Sequence, residues 1–292
     1  MSTLKIEENI KSRSIPAITA ASYRLMSQNI TLWTKRLWIW IVCVATAAGI
    51  AVAAALMLLS VKSDEAVVTT WCVWAAASLL TLLFTAFVSG GIMAALKGQK
   101  TRRNIIRALK LAALVAVVFV ADVALFYAVS IPLVLIWHQG MLLLHLLIAI
   151  GIVLVTALLL VPTGYSGMKY MAEDNLGIVS VLGRNYFVGL RFYGRMFMTF
   201  FVTMLIGTII AFVLAAPLWV VAVASLQNSL GIYLGDASGM PTSAPLLIFL
   251  GTFTAIAAYS PVWLWQFFCL YYQYGSITAR RKETRKEVVT EE

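Results

Sequence analysis

The sequence predicts an all-α fold, a polytopic membrane bundle of six transmembrane helices, and three observations lead to it. Hydrophobic residues make up 62% of the 292 residues, whereas soluble globular chains contain about 45–50%. Charged residues account for 12%, half of the usual share of about 25%. Apolar intervals of about 20 residues, long enough to cross the hydrocarbon of a bilayer, recur along the chain. A cytosolic enzyme, a disordered chain and a disulfide scaffold are thereby excluded.

Intervals without Asp, Glu, Lys or Arg define the spans, because charged side chains are expensive in hydrocarbon. The longest stretch, residues 111–168, is interrupted only by Asp122 and is divided into two helices by Trp137-His138-Gln139-Gly140, which is typical of a turn. Residues 1–36 are predicted to form a cytoplasmic segment, residues 37–274 the transmembrane domain and residues 275–292 a charged cytoplasmic tail. The predicted spans are residues 38–60, 67–95, 108–136, 142–162, 196–224 and 245–274.

The positive charge is distributed unevenly, and this predicts the orientation. The net charge is +10, and all 22 Lys and Arg residues except Lys62 fall in the two terminal segments and in the second and fourth connections. Because cytoplasmic loops carry the excess of Lys and Arg, we expect both termini in the cytoplasm. No nucleic-acid-binding motif accompanies the charge, so no nucleic-acid partner is predicted.

The cations near the spans are also candidates for contacts with anionic lipids, which attract juxtamembrane Lys and Arg by about 1 kcal/mol each. The lipid bilayer is thus the expected partner, and an unidentified membrane protein is a further candidate. The alternative is that these cations record topology alone, as in any polytopic protein. The candidate contacts are Lys35, Arg36, Arg102, Arg103, Arg107, Arg184, Arg191 and Arg195.

Apolar residues before the first span recur at steps of three and four, which predicts an interfacial amphipathic helix. Similar passages precede the fifth span (190–197) and the third (102–110), and each hairpin returns through small residues such as Ser89-Gly90-Gly91. These features indicate a candidate threefold repeat of an amphipathic helix plus a hairpin. The alternative is that inner-membrane hairpins share them in general. The apolar face of the first passage is Tyr23, Met26, Ile30, Trp33 and Leu37.

Asp122 is the only acidic residue deep within a predicted span, and such a residue is a functional hypothesis by default. One interpretation is a proton or cation site in a transport path. The other is a carboxyl–hydroxyl contact that holds helices together, which we favour because proton relays usually use several acidic residues. The polar residues predicted at a similar depth are Thr81, Thr156, Thr208, Tyr259 and Ser260.

No catalytic, cofactor-binding or metal site is predicted. The sequence contains no phosphate-binding loop, dinucleotide fingerprint or hydrolase motif. His138 and His145 have no carboxylate or cysteine beside them that would complete a metal site, and Cys43, Cys72 and Cys269 lack paired spacing. We therefore expect a non-enzymatic membrane protein that acts through protein partners or lipids. A small-solute or ion transporter built around Asp122 is the alternative.

Two passages carry a resemblance to known sequences. The segment from Ser22-Tyr23 through Trp33 into the first span is similar to the start of several uncharacterised bacterial membrane protein families. Pro162-Thr163-Gly164-Tyr165, followed by the stretch from Arg184 to Arg195, resembles the same families. The resemblance implies a bacterial source and a six-helix fold in the cytoplasmic (inner) membrane. It supplies no functional residues.

Overall fold

The computed structural model describes residues 9–58, 64–98, 101–137, 142–233 and 243–290. These residues form α-helices joined by short connections, without strands. The helices are α1 Ile15–Gln28, α2 Ile30–Met57, α3 Asp64–Lys97, α4 Thr101–Trp137, α5 Leu142–Leu160, α6 Thr163–Ala172, α7 Val179–Leu182, α8 Arg184–Arg191, α9 Tyr193–Leu214, α10 Ala216–Tyr233 and α11 Ala244–Thr290.

The predicted all-α membrane bundle is confirmed. Five of the described helices, namely α2, α3, α4, α9 and α11, are long and apolar enough to cross a membrane. A sixth span is formed if α5 and α6 count together, since the two helices pass the same test as a pair with a bend of 48° between them. The chain is therefore a multi-pass membrane protein. Residues 59–60 of the first predicted span, together with Lys62 and His138, lie outside the described residues.

Helices α2, α3 and α11 form the centre of the bundle, where α2 packs along both of the others. Helix α4 packs on α3, α9 packs on α11, and the principal partner of α5 is α4. The buried core lies towards one end, where α1, the end of α3, the start of α4, α6 to α8 and the C-terminal part of α11 meet. We call it the basic end because these elements carry most of the Lys and Arg residues. The opposite halves of α4, α5 and α9 present mostly exposed apolar side chains, as expected where lipid surrounds a span.

The N-terminal segment differs from the predicted amphipathic helix. The chain turns at Asn29, whose backbone is not helical (φ −120°, ψ 19°), so α1 and α2 do not share one face. Of the predicted apolar face only Trp33 and Leu37 are buried, whereas Tyr23 is 59% exposed. The prediction was wrong in register because it continued one helix through Asn29. The buried face of α1 is Ile18, Ala21, Ser22 and Leu25, and α1 packs on α11.

Two other elements end elsewhere than predicted. The fifth span (196–224) is interrupted at Ala215, where α9 ends and α10 begins with Pro217 in its first turn. Proline is tolerated there because the first amide groups of a helix lack intrahelical partners. Helix α11 continues from the sixth span through most of the predicted tail, to Thr290. The candidate repeat is seen only in part. A separate helix precedes the first span (α1) and the fifth span (α8), but residues 102–110 before the third span belong to α4 itself.

Candidate functional site

Arg107 is the centre of a group of polar contacts at the basic end. Its side chain is 7% exposed and donates to the carbonyl oxygens of Asp174 (3.0 Å), Glu173 (2.8 Å), Leu176 (3.2 Å) and Tyr170. These oxygens lie at and beyond the C-terminal end of α6, where helical amides no longer reach and a cation is favoured. The guanidinium carbon also lies 4.2 Å from the centre of the Tyr170 ring. Arg107 thus fixes the turn after α6.

Asp174 lies within the same turn and is held by two further cations. Lys97, the last residue of α3, forms an ion pair with Asp174 and donates to the carbonyl oxygen of Met171 at 3.2 Å. Arg103 of α4 lies 3.6 Å from the other carboxylate oxygen of Asp174. Asp174 therefore ties the end of α3 and the first turn of α4 to the turn that follows α6.

Lys169 and Glu173 form a second polar group next to the first. Lys169 lies 3.9 Å from a carboxylate oxygen of Glu173 and donates to the amide oxygen of Asn185 on α8 at 3.0 Å. The hydroxyl of Tyr274 on α11 donates to the other Glu173 oxygen at 3.0 Å. This group therefore joins α6, α8 and α11.

The N-terminal segment is bound to α11 through Ser276, which is fully buried. Its hydroxyl accepts from the backbone amide of Arg13 at 3.0 Å and from the guanidinium of Arg195 at 3.2 Å. It also donates to the carbonyl oxygen of Arg13 at 3.2 Å. Gly275 is required beside it, because a Cβ atom there would collide with the backbone of Asn9. Ser276 thus joins the segment before α1 to both α9 and α11.

The predicted polar layer around Asp122 is only partly assembled. The hydroxyl of Thr156 on α5 donates to the Asp122 carboxyl group at 2.8 Å, and both side chains are half-buried. The other four members do not join this pair. Thr81 donates to its own helix at Ala77, and Thr208 is exposed on α9.

The two α11 members of the predicted layer form bonds of their own. Ser260 donates to Ala257, and Tyr259 donates to the side-chain oxygen of Gln266 at 3.3 Å. Gln266 in turn donates to the carbonyl oxygen of Thr203 on α9 at 3.0 Å. The sequence prediction missed Gln266 because it searched the spans for charges and hydroxyl groups. Its amide side chain, uncommon inside a span, was the available signal. A single layer was wrong because depth alone does not bring residues of different helices together.

The structure divides the candidate lipid contacts into two groups. Arg107 is buried against carbonyl oxygens and cannot meet a headgroup, which corrects that prediction. Arg103 and Arg195 bind Asp174 and Ser276 within the protein. The remaining five are exposed and stay candidates: Lys35, Arg36, Arg102, Arg184 and Arg191.

A cavity of about 820 Å³ lies between α6, α8 and the end of α11. Its polar lining includes Lys169, Glu173, Arg191, Arg281 and Lys282. Two smaller and mainly apolar cavities, of about 180 and 190 Å³, lie within the bundle beside Ser260. Asp122 lines none of these three cavities. Among the described residues no group of three or more His, Cys, Asp or Glu side chains is close enough to hold a metal ion.

Comparison with known proteins adds no relative. The chain matches no protein family model, no curated protein and no solved structure. The resemblance to bacterial six-helix families is therefore an expectation from the sequence alone.

Proposed function

We propose that this chain is a non-enzymatic multi-pass membrane protein that acts through lipids or protein partners at its basic end. One observation supports the proposal above the others: the turn after α6 is held in a fixed shape by Lys97, Arg103 and Arg107 around Asp174. A turn whose carbonyl oxygens and carboxylate are all bound in this way presents one defined surface to a lipid or a protein partner. The Asp122–Thr156 pair, in contrast, lines none of the three cavities described above.

The test of this function is site-specific photocrosslinking of the full chain in its native membrane. A photoreactive residue replaces Arg102 or Arg184, both exposed at the basic end, or Leu154, which is 57% exposed on α5 and serves as the control. We expect anionic lipid or one distinct protein to be captured at the first two positions, and bulk lipid at Leu154. Adducts of the same composition at all three positions would contradict the proposal.

We further propose a location in the bacterial inner membrane with the basic end in the cytoplasm, which the asymmetry of Lys and Arg supports. Thiol labelling in intact cells tests the orientation. Glu65→Cys and Lys282→Cys are compared in a background of Cys43→Ala and Cys72→Ala, with the buried Cys269 retained. A membrane-impermeant maleimide should label Glu65→Cys in intact cells and Lys282→Cys only after permeabilisation. Labelling in the reverse order would overturn the orientation.

A further inference from the structure

The cavity between α6, α8 and the end of α11 combines a charged wall with an apolar one. Its volume of about 820 Å³ is in the range of pockets that hold small molecules. Phe187, Val188 and Phe192 form the apolar wall. The hydroxyl-bearing residues Tyr165, Thr278 and Thr284 also line it. The cavity therefore suits a ligand that has both a polar and an apolar part.

The charged wall of the cavity carries a net positive charge, from four cations and one carboxylate. Glu173 is the one acidic residue of the lining, and Lys169 and the hydroxyl of Tyr274 already bind it. The ion pairs of the described residues involve none of the other three cations, Arg191, Arg281 and Lys282. All three are exposed and converge on the cavity from two helices, α8 and α11. Such a wall attracts an anion and repels a cation.

Arginine determines which anion fits. A guanidinium group presents planar paired donors that match the oxygens of a phosphate, and lysine adds a point charge. The hydroxyl groups of Thr278 and Thr284 donate to the carbonyl oxygens of Tyr274 and Arg280 within α11, so the donors to a ligand are the cations. We propose that this cavity binds a phosphate-bearing anion, with Arg191, Arg281 and Lys282 holding the phosphate oxygens. This inference rests on the proposed function, because it names the class of lipid that would bind at the basic end.

Two tyrosine hydroxyl groups attach the helices beside the cavity to the end of α5. The hydroxyl of Tyr186 donates to the carbonyl oxygen of Leu159 at 2.8 Å, and that of Tyr193 to Leu158 at 3.3 Å. Both oxygens belong to the C-terminal end of the apolar helix α5, so α8 and the start of α9 lie against that end. Phe187 is 66% exposed on α8. A phospholipid headgroup can therefore reach the cations while its acyl chains remain in the membrane, and a free phosphate compound can enter from the water.

The experiment measures binding to the purified full chain in a non-ionic detergent, using two probes. The first is dioctanoyl phosphatidylglycerol, counted by native mass spectrometry, and the second is inorganic phosphate, used as a competitor. The test variant is Arg191→Gln with Arg281→Gln. The matched control is Lys11→Gln with Lys110→Gln, which removes the same charge from exposed positions that lie outside the cavity and are not among the candidate lipid contacts. All four positions are exposed, so each variant is expected to fold.

We expect the cavity variant to bind phosphatidylglycerol at least about tenfold more weakly, because a charge-assisted hydrogen bond is worth about one decade of affinity. The control variant should stay within about twofold. Thr284→Glu, which adds a carboxylate to the lining, should also weaken binding. Displacement of the lipid by millimolar phosphate identifies a free phosphate compound as the natural ligand, and resistance to displacement identifies a lipid headgroup.

Two outcomes would overturn the inference. Equal weakening in the cavity and control variants would show that the lipid responds to diffuse surface charge. Unchanged binding in the cavity variant and in Thr284→Glu would show that the anion binds elsewhere. In either case lipid is still bound, so the proposed function survives. If instead the wild-type chain binds neither probe, and photocrosslinking captures no partner at Arg102 or Arg184, both the inference and the proposed function are contradicted.

Discussion

The hydroxyl of Ser260 lies 2.7 Å from the carbonyl oxygen of Ala257 and donates a hydrogen bond to it. This oxygen is the one that Pro261 leaves without its helical partner, because proline has no amide proton. An unsatisfied carbonyl is costly in hydrocarbon, and Ser or Thr side chains commonly satisfy one beside a proline. Ser260 thus satisfies the carbonyl oxygen that Pro261 leaves free and allows a proline inside α11.

Replacement of Ser260 tests this assignment in two backgrounds. Ser260→Ala should lower the free energy of unfolding by about 1 kcal/mol, the net value of a typical hydrogen bond. In a Pro261→Ala background the same change should have almost no effect, because the backbone amide at position 261 then serves Ala257. The free energy of unfolding is measured in mixed detergent micelles for each variant and its background. An equal loss in the two backgrounds would contradict the assignment.

The Asp122–Thr156 contact gives a second prediction. Thr156→Val removes the hydroxyl donor and should lower the free energy of unfolding by about 0.6 kcal/mol, up to about 1.7, as for other interhelical hydrogen bonds in membranes. Thr81→Val is the control, because Thr81 bonds only within its own helix. Asp122→Asn keeps an acceptor for Thr156 and should be nearly neutral. Proton uptake into vesicles that is present for the wild type and lost in Asp122→Asn would instead support the transporter.

The approach of α3 to α4 depends on Gly90. A Cβ atom at this position would lie 2.6 Å from the Cα atom of Ile105, and the backbone cannot move aside as a flexible side chain can. Gly90→Ala should therefore lower the free energy of unfolding by about 1–3 kcal/mol, the usual penalty of overpacking. The control is Gly151→Ala on α5, where a Cβ atom meets nothing within 4 Å. This control should be neutral or stabilising by up to about 1 kcal/mol.

Arg107 and Arg103 lie one helical turn apart on α4 but should respond differently to lysine. Arg107→Lys exchanges a planar fork over several carbonyl oxygens for a single ammonium group. We expect a loss of about 1–3 kcal/mol in unfolding free energy, because some buried oxygens then lack a donor. The Arg103 side chain is 60% exposed, so Arg103→Lys should change stability by less than about 0.5 kcal/mol. Equal losses in both would contradict the capping role of Arg107.

The membrane architecture was predictable because the length and polarity of a span follow from the bilayer itself. The buried face of α9 also follows a pattern in its sequence. Its small residues recur at steps of four, and Thr199, Thr203 and Gly207 are buried, as small residues at helix contacts should be. Local breaks were harder to predict. Asn29 and Ala215 interrupt helices without a charge or a pair of glycines to mark them.

The polar site was not predictable from the same patterns. The sequence shows the cations of the basic end, but an arginine that follows a topology rule looks the same as one that binds carbonyl oxygens. Arg107 and Arg102 are neighbours of like charge, yet one is buried and the other exposed. The difference depends on the turn after α6, more than 60 residues later in the chain. Long-range contacts of this kind are not encoded in local periodicity.

Helix α11 has a mechanical consequence for the cavity. At a rise of 1.5 Å per residue its 47 residues extend for about 70 Å, more than twice the hydrocarbon thickness. The same rod carries Pro261 within the bilayer and Arg281 at the cavity wall. A tilt of ~5° about the proline would swing residue 284 by about 3 Å, given the ~35 Å of helix between them. Such a tilt would change the distance between Arg281 on α11 and Arg191 on α8, and with it the width of the cavity.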